Sequence, residues 1–179
     1  MNGPAESRLT GSGRMTGRVV KDRFGRRREL LWRIDLQLAA PPGGEISMVD
    51  IRLPVWSWQD LPGTEIVDGP KTRRSADGEF LSTTGAGPVR IGTDVWTGRI
   101  DRLTFGKLTG DDSRLDVELV IRELSGAGQA VIEAVVDLVG VRIDDDPGAL
   151  EDAGALLDLR DVDVTRDDAG VLLRPIRER

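Results

Sequence analysis

The sequence predicts an all-β fold, an antiparallel β-sandwich or barrel of roughly 8–10 short strands with at most one short helix. Three observations carry that expectation. Apolar and polar side chains alternate at period two in several segments, the pattern of a strand with one buried face. Clusters of Gly, Pro, Asp and Ser separate those segments at hairpin spacing. β-Branched residues are common inside the segments, and little of the chain reads as helix.

Residues 1–17 are rich in Gly, Ser and Arg and show no apolar period. They predict a flexible N-terminal tail in front of a single β domain over 18–179. Trp32, Ile34, Leu36 and Leu38 alternate with Arg33, Asp35 and Gln37, a half-buried strand ended by Pro41-Pro42-Gly43-Gly44. Val49, Ile51, Leu53 and Val55 alternate next, and Pro54 among them predicts an edge strand or a bulge. Residues 59–79 carry Pro62-Gly63, Gly69-Pro70 and Asp77-Gly78, which predicts a long polar connection and a candidate contact surface. Short strands are expected around Phe80-Leu81 and Val89–Ile91.

Ile100, Leu103, Phe105 and Leu108 then lead into the turn at 109–113, and Leu115, Val117, Leu119 and Ile121 follow in strict alternation. A hairpin is the natural reading. Segment 130–143 reads as a helix with Glu133 and Asp137 on one face, or as a strand with Ile132, Ala134, Val136 and Leu138 on an apolar face. Its β-branched content favours the strand. One short helix is expected within 149–157. A last hairpin is expected around Arg166–Gly170.

The chain has 179 residues and no His, Cys or Tyr. Its length fits one domain able to bury a core without disulfides or metal. Triads and dyads that use His or Cys are excluded, as are His- or Cys-ligated zinc, iron and haem sites. What survives for an enzyme is a carboxylate pair, a Ser–Lys pair or a carboxylate-bound divalent ion, and only Lys21, Lys71 and Lys107 could serve the second. Gly11-Ser12-Gly13, Gly85-Ala86-Gly87 and Gly106-Lys107-Leu108-Thr109 lack the spacing and the strand–turn–helix context of a phosphate loop. No cofactor is expected.

Three groups of residues are candidates for binding. Trp56 and Trp58 are spaced to share one side of a strand, where they could form a stacking or interface platform. A register shift at Pro54 would instead turn both into the core. Arg23, Arg26, Arg27 and Arg28 form the densest basic run, able to meet an acidic partner. Nucleic acid is disfavoured by the sequence pI of about 4.8 and the scarcity of neighbouring aromatics. Asp111, Asp112, Asp144, Asp145 and Asp146 lie in turns. Aspartate favours turns through bonds to the backbone, but two such turns at one end of the sheet could also hold Ca²⁺.

The formal net charge of −6 conceals a split: residues 1–110 sum to +4 and residues 111–179 to −10. The halves could attract each other within one chain or between copies. No apolar run reaches membrane-spanning length, no secretory signal opens the chain, and arginine far outnumbers lysine. These features suggest a bacterial cytoplasmic protein. The expected function is non-enzymatic: a protein-interaction module or an assembly subunit acting through a protein partner or self-association. The alternatives are an acidic inhibitor or immunity-type protein that covers a basic partner, and a carboxylate-based or Ca²⁺-dependent enzyme or binding domain.

Overall fold

The computed structural model describes residues 5–21, 25, 28–53, 57–67, 73–74, 80–81, 87–91, 94–109, 113–123, 128–144, 148–160 and 162–176. Among them the chain forms β1 (Ala5–Lys21), β2 (Arg28–Leu38) and β3 (Gly44–Ile51), then a 3-10 turn at Trp58–Asp60. The short strands β4 (Glu65–Val67), β5 (Arg73–Arg74), β6 (Phe80–Leu81) and β7 (Gly87–Ile91) follow. Next come β8 (Asp94–Thr109), β9 (Arg114–Glu123), β10 (Gly128–Ile143), the helix α1 (Ala149–Gly154), β11 (Val162–Asp167) and β12 (Gly170–Pro175).

Among the described residues the protein is mostly strand, with one curled mixed sheet in the order β1-β2-β3-β7-β8-β9-β10-β12-β11 and a separate two-stranded pairing of β5 with β6. β10 also returns to β1, pairing in parallel from Ala5↔Gly128 to Val19↔Ile143. The expectation of a purely antiparallel sheet is therefore corrected. Parallel pairing joins segments far apart in sequence without a hairpin, so no local turn signal announces it. Several strands are also long, β1 with 17 residues and β8 and β10 with 16 each. Turn residues inside them had divided them into shorter pieces.

The second correction concerns the tail. Residues 5–17 belong to β1, held by β10 throughout and from Gly11 onward also by β2 on the other edge. The period is present once glycine is counted as inward-facing. Met15, Gly17 and Val19 are buried, while Arg14 and Arg18 are exposed. A Cβ at Gly13 would overlap the carbonyl oxygen of Asp35, and one at Gly17 would lie 2.5 Å from Val141 Cγ2 and 3.1 Å from the Trp32 ring. These glycines are places of close approach rather than of flexibility.

β2, β9 and β10 bury the residues their alternation selects. Trp32, Ile34, Leu36, Leu115, Val117, Leu119, Ile121, Ile132, Ala134, Val136 and Leu138 all enter the core. Segment 130–143 is thus strand. β3 departs from its expected pattern: Met48 and Ile51 are buried, while Val49 is 48% exposed. The register against β2 runs Ile34↔Met48 and Trp32↔Ile51, an extra residue on β3 absorbed by Asp50 at φ 58°. A bulge therefore sits at Val49–Asp50, and aspartate is among the few non-glycine residues that tolerate this backbone; Pro54 lies outside the described residues. The connection 59–79 contains the end of the 3-10 turn, β4 on the edge of β8, and β5.

Candidate functional site

Trp58 opens the 3-10 turn, whose N-terminus is capped reciprocally: Asp60 accepts from the Ser57 backbone N–H and the Ser57 hydroxyl accepts from Gln59 N–H. The turn drives the indole inward, to 1% exposure, edge-to-face on Trp32 with ring centroids 5.6 Å apart. Trp58 is therefore core, and the surface-platform expectation fails there because β3 ends at Ile51 and a turn replaces the expected strand. Neither indole N–H has an acceptor. Trp56 lies outside the described residues.

The basic run and the aspartate turns are described only in part. Arg23, Arg26, Arg27, Asp111, Asp112, Asp145 and Asp146 lie outside the described residues. Arg28, its side chain 10% exposed, donates from Nε to Asp152 at 2.5 Å and so fastens α1 to β2. Asp144 is exposed and sits 3.9 Å from Arg18. Among the described residues no group of three acids is arranged to hold a metal ion.

The charge split closes within the chain. Arg8 meets Glu133 at 3.8 Å, Arg18 meets Asp144, Arg28 meets Asp152, and Arg102 meets Glu118 at 2.9 Å. Each pair joins the basic front to the acidic back: the parallel β1–β10 ladder, the β8–β9 pairing and the packing of α1 near β2 lay those segments side by side. Apart from Arg28 these groups are largely exposed, so the other three pairs are individually weak.

Described residues line two hollows on the outer face. One, about 550 Å³, lies across β8, β9, β10 and β1, where Thr104, Glu118, Glu133 and Thr10 form one cross-strand row beside Asp116 and Val135. Arg102 and Arg8 already engage two of its carboxylates. The other, about 860 Å³, opens where β10 exchanges β9 for β12 as its neighbour. Arg114 and Asp137 stand on one rim, paired at 3.3 Å, with Asp163, Arg174 and Ile176 on the other. Gly140 makes the exchange possible. At φ 128° it brings β10 so close to Leu173 that a Cβ would overlap that residue's carbonyl oxygen.

Beyond this split lies β11, which pairs only with β12 and leaves its other edge without a strand among the described residues. Residues 163–167 are all exposed, with Val164 at 45%, and Ile176 nearby is 48% exposed. The tip is tied back across β12 by Arg142, which donates to both oxygens of Asp167 at 2.7 and 3.1 Å. That guanidinium and the Ala169 backbone N–H hold the Asp167 carboxyl below its usual range. At the entry to β11, the Arg160 side chain and backbone N–H lower Asp158 to about 2.

The sequence predicted the final hairpin and pointed to edge strands as contact surfaces, but it did not identify this strand as an edge. The Val162-x-Val164 alternation was visible, whereas the lack of a neighbour is a property of the whole sheet. Comparison of the chain with protein families, with curated proteins and with solved structures found no match. Among the described residues no helix is long and apolar enough to cross a membrane.

Proposed function

We propose that the chain is a non-enzymatic protein-interaction module of a bacterial cytoplasm, which takes an extended segment of a partner protein along the free edge of β11. The single observation that carries this reading is an exposed strand that, among the described residues, is paired on one side only. Such an edge offers a row of backbone N–H and C=O groups to another chain, and strand addition is a common mode of peptide recognition. The two-residue turn Asp168-Ala169 makes Asp167 and Gly170 a hydrogen-bonded pair, so Val162, Val164 and Arg166 direct their backbone groups outward. The shortness of the strand and its charges, Asp163 and Arg166, limit indiscriminate pairing.

Ionic head-to-tail assembly has less support, since the opposing charges are already paired within one chain. The return of β10 to β1 supports a barrel over a two-layer sandwich. That geometry leaves β11 and β12 as an extension outside the circuit of strands.

Arg166→Pro tests the proposal, because proline there removes an outward N–H without breaking the ladder to β12. Complexes isolated from the producing cell with the wild-type chain should be lost with the variant, and amides of 162–167 should gain protection in the complex. Complexes that survive the substitution, or protection confined to another strand, would rule the reading out.

A further inference from the structure

We propose that Arg99 and Arg122, held apart and oriented by Asp101, form a binding site for a carboxylate group presented by a ligand or partner. The two arginines are direct cross-strand neighbours on β8 and β9. Like charges in that position oppose pairing, so the arrangement requires a compensating anion. The chain supplies one. The β8–β9 register shifts between Ile100 and Arg102, and the extra residue so introduced is Asp101. Its carboxylate is 16% exposed and divides itself between the two guanidiniums, one oxygen 3.2 Å from Arg99 and the other 2.7 Å from Arg122.

Compensation stops halfway. Among the described residues two guanidiniums face one carboxylate, leaving an excess of +1. The next cation along this face, Arg102, is matched by Glu118 and adds nothing to the excess. Each guanidinium reaches Asp101 through a terminal nitrogen, so neither uses its fork in a two-bond contact. Arg99 Nε is buried without any acceptor. A donor withdrawn from water and left unpaired is costly, and one attached to a charged group more so. The half-exposed Arg122 leaves the pair open to solvent on one side.

The charge count selects the ligand class. One carboxylate neutralises the excess and offers two coplanar oxygens to a guanidinium fork. A phosphate monoester carries about −1.5 to −2 and would over-neutralise the site while lying beside Asp101. This site is distinct from the β11 edge, and neither proposal depends on the other.

Arginine Nε–Hε resonances of the full chain report the site directly during titration with sodium acetate, inorganic phosphate or sodium chloride at matched ionic strength. Acetate should move the Arg99 and Arg122 signals along a saturating curve, with chloride inert and phosphate weaker. Arg122→Lys keeps the charge but removes the fork, and should weaken acetate about tenfold. Asp101→Asn raises the excess to +2 and should reverse the preference toward phosphate; a purely structural Asp101 would lower thermal stability without changing anion preference. The proposal is overturned if acetate behaves as chloride does, if wild type prefers phosphate, or if Arg122→Lys binds acetate unchanged. Should Asp101→Asn fail to fold, the Arg122→Lys comparison still decides.

Discussion

β1 and β11 are both modest strands by composition, one punctuated by glycine and the other carrying only two valines, yet they hold opposite positions in the sheet. β1 is clamped between β2 and β10 from Gly11 to Val19, and its glycines let neighbouring backbones and the Trp32 ring approach closely. Among the described residues β11 pairs with one strand, and residues 163–167 are exposed to solvent. A strand's importance to this fold therefore follows from the number of edges it satisfies and the closeness of its neighbours. Its own hydrophobicity is a poor guide.

The largest expected effect tests that lesson at its sharpest point. Gly13→Val would force a side chain into the carbonyl of Asp35, and should destabilise the protein by about 3 kcal/mol or more. Thr165→Val, on the exposed edge strand, should change stability by no more than about 0.5 kcal/mol. Urea midpoints of the two variants measure the contrast. Similar midpoints would show that β1 is not the clamped strand described above.

A second pair of variants separates volume from backbone fit. Trp58→Ala should cost about 3–5 kcal/mol, because the indole fills the core beside Trp32. Trp58→Phe should cost less than about 1.5 kcal/mol, since it keeps an aromatic ring and deletes an unpaired buried N–H. Equal losses in the two variants would mean that the indole N–H has an acceptor in solution.

How much of this was legible in the sequence depends on whether the cause was local. The inward faces of β2, β9 and β10 could be read because alternation is a local record of burial, as Ile132, Ala134 and Val136 show. β1 was missed because glycine breaks strands when judged alone, and only the neighbouring Asp35 and Val141 reveal why Gly13 and Gly17 are required. The bulge at Val49–Asp50 had no signature beyond an aspartate, a residue equally at home in any turn. Of the candidate binding residues, Trp58 was visible as a large apolar side chain, but its burial depends on a turn that starts after β3 ends. Arg99 and Asp101 share a face by simple alternation, whereas their meeting with Arg122 depends on a register shift that no single strand records.

A third variant addresses the tether. Arg142→Gln removes the two bonds to Asp167 that tie the hairpin tip over β12. Amide exchange in 162–167 should quicken several-fold, as local openings become easier, while β1 exchanges at its original rate. An equal change in both strands would mean that β11 opens only when the whole sheet does.

The smallest effect is a dependence on pH at the entry to β11. Asp158 has a folded pKa of about 2 against an ordinary 3.8, chiefly because the Arg160 side chain donates to it, with the Arg160 backbone N–H second. A depressed carboxyl favours the folded state wherever it is ionised. Its contribution is therefore full above the unfolded value, declines as pH falls below 3.8, and is gone once pH passes through about 2. Asp158→Asn should accordingly be slightly less stable than wild type by a constant margin at neutral pH, a margin that vanishes towards pH 2. Arg160 is 85% exposed, so salt should shrink the margin as well. Denaturant midpoints of the two chains across that range measure it, and a margin persisting below pH 2 would assign the loss to packing rather than to charge. Because this pair and the Arg142–Asp167 pair sit at the two ends of β11, and Asp167 is lowered in the same direction, acidification should loosen β11 before β1. β1 is held by backbone pairing on both edges, which has no proton to gain in that range. The strand that titrates is the one the sheet leaves half-satisfied.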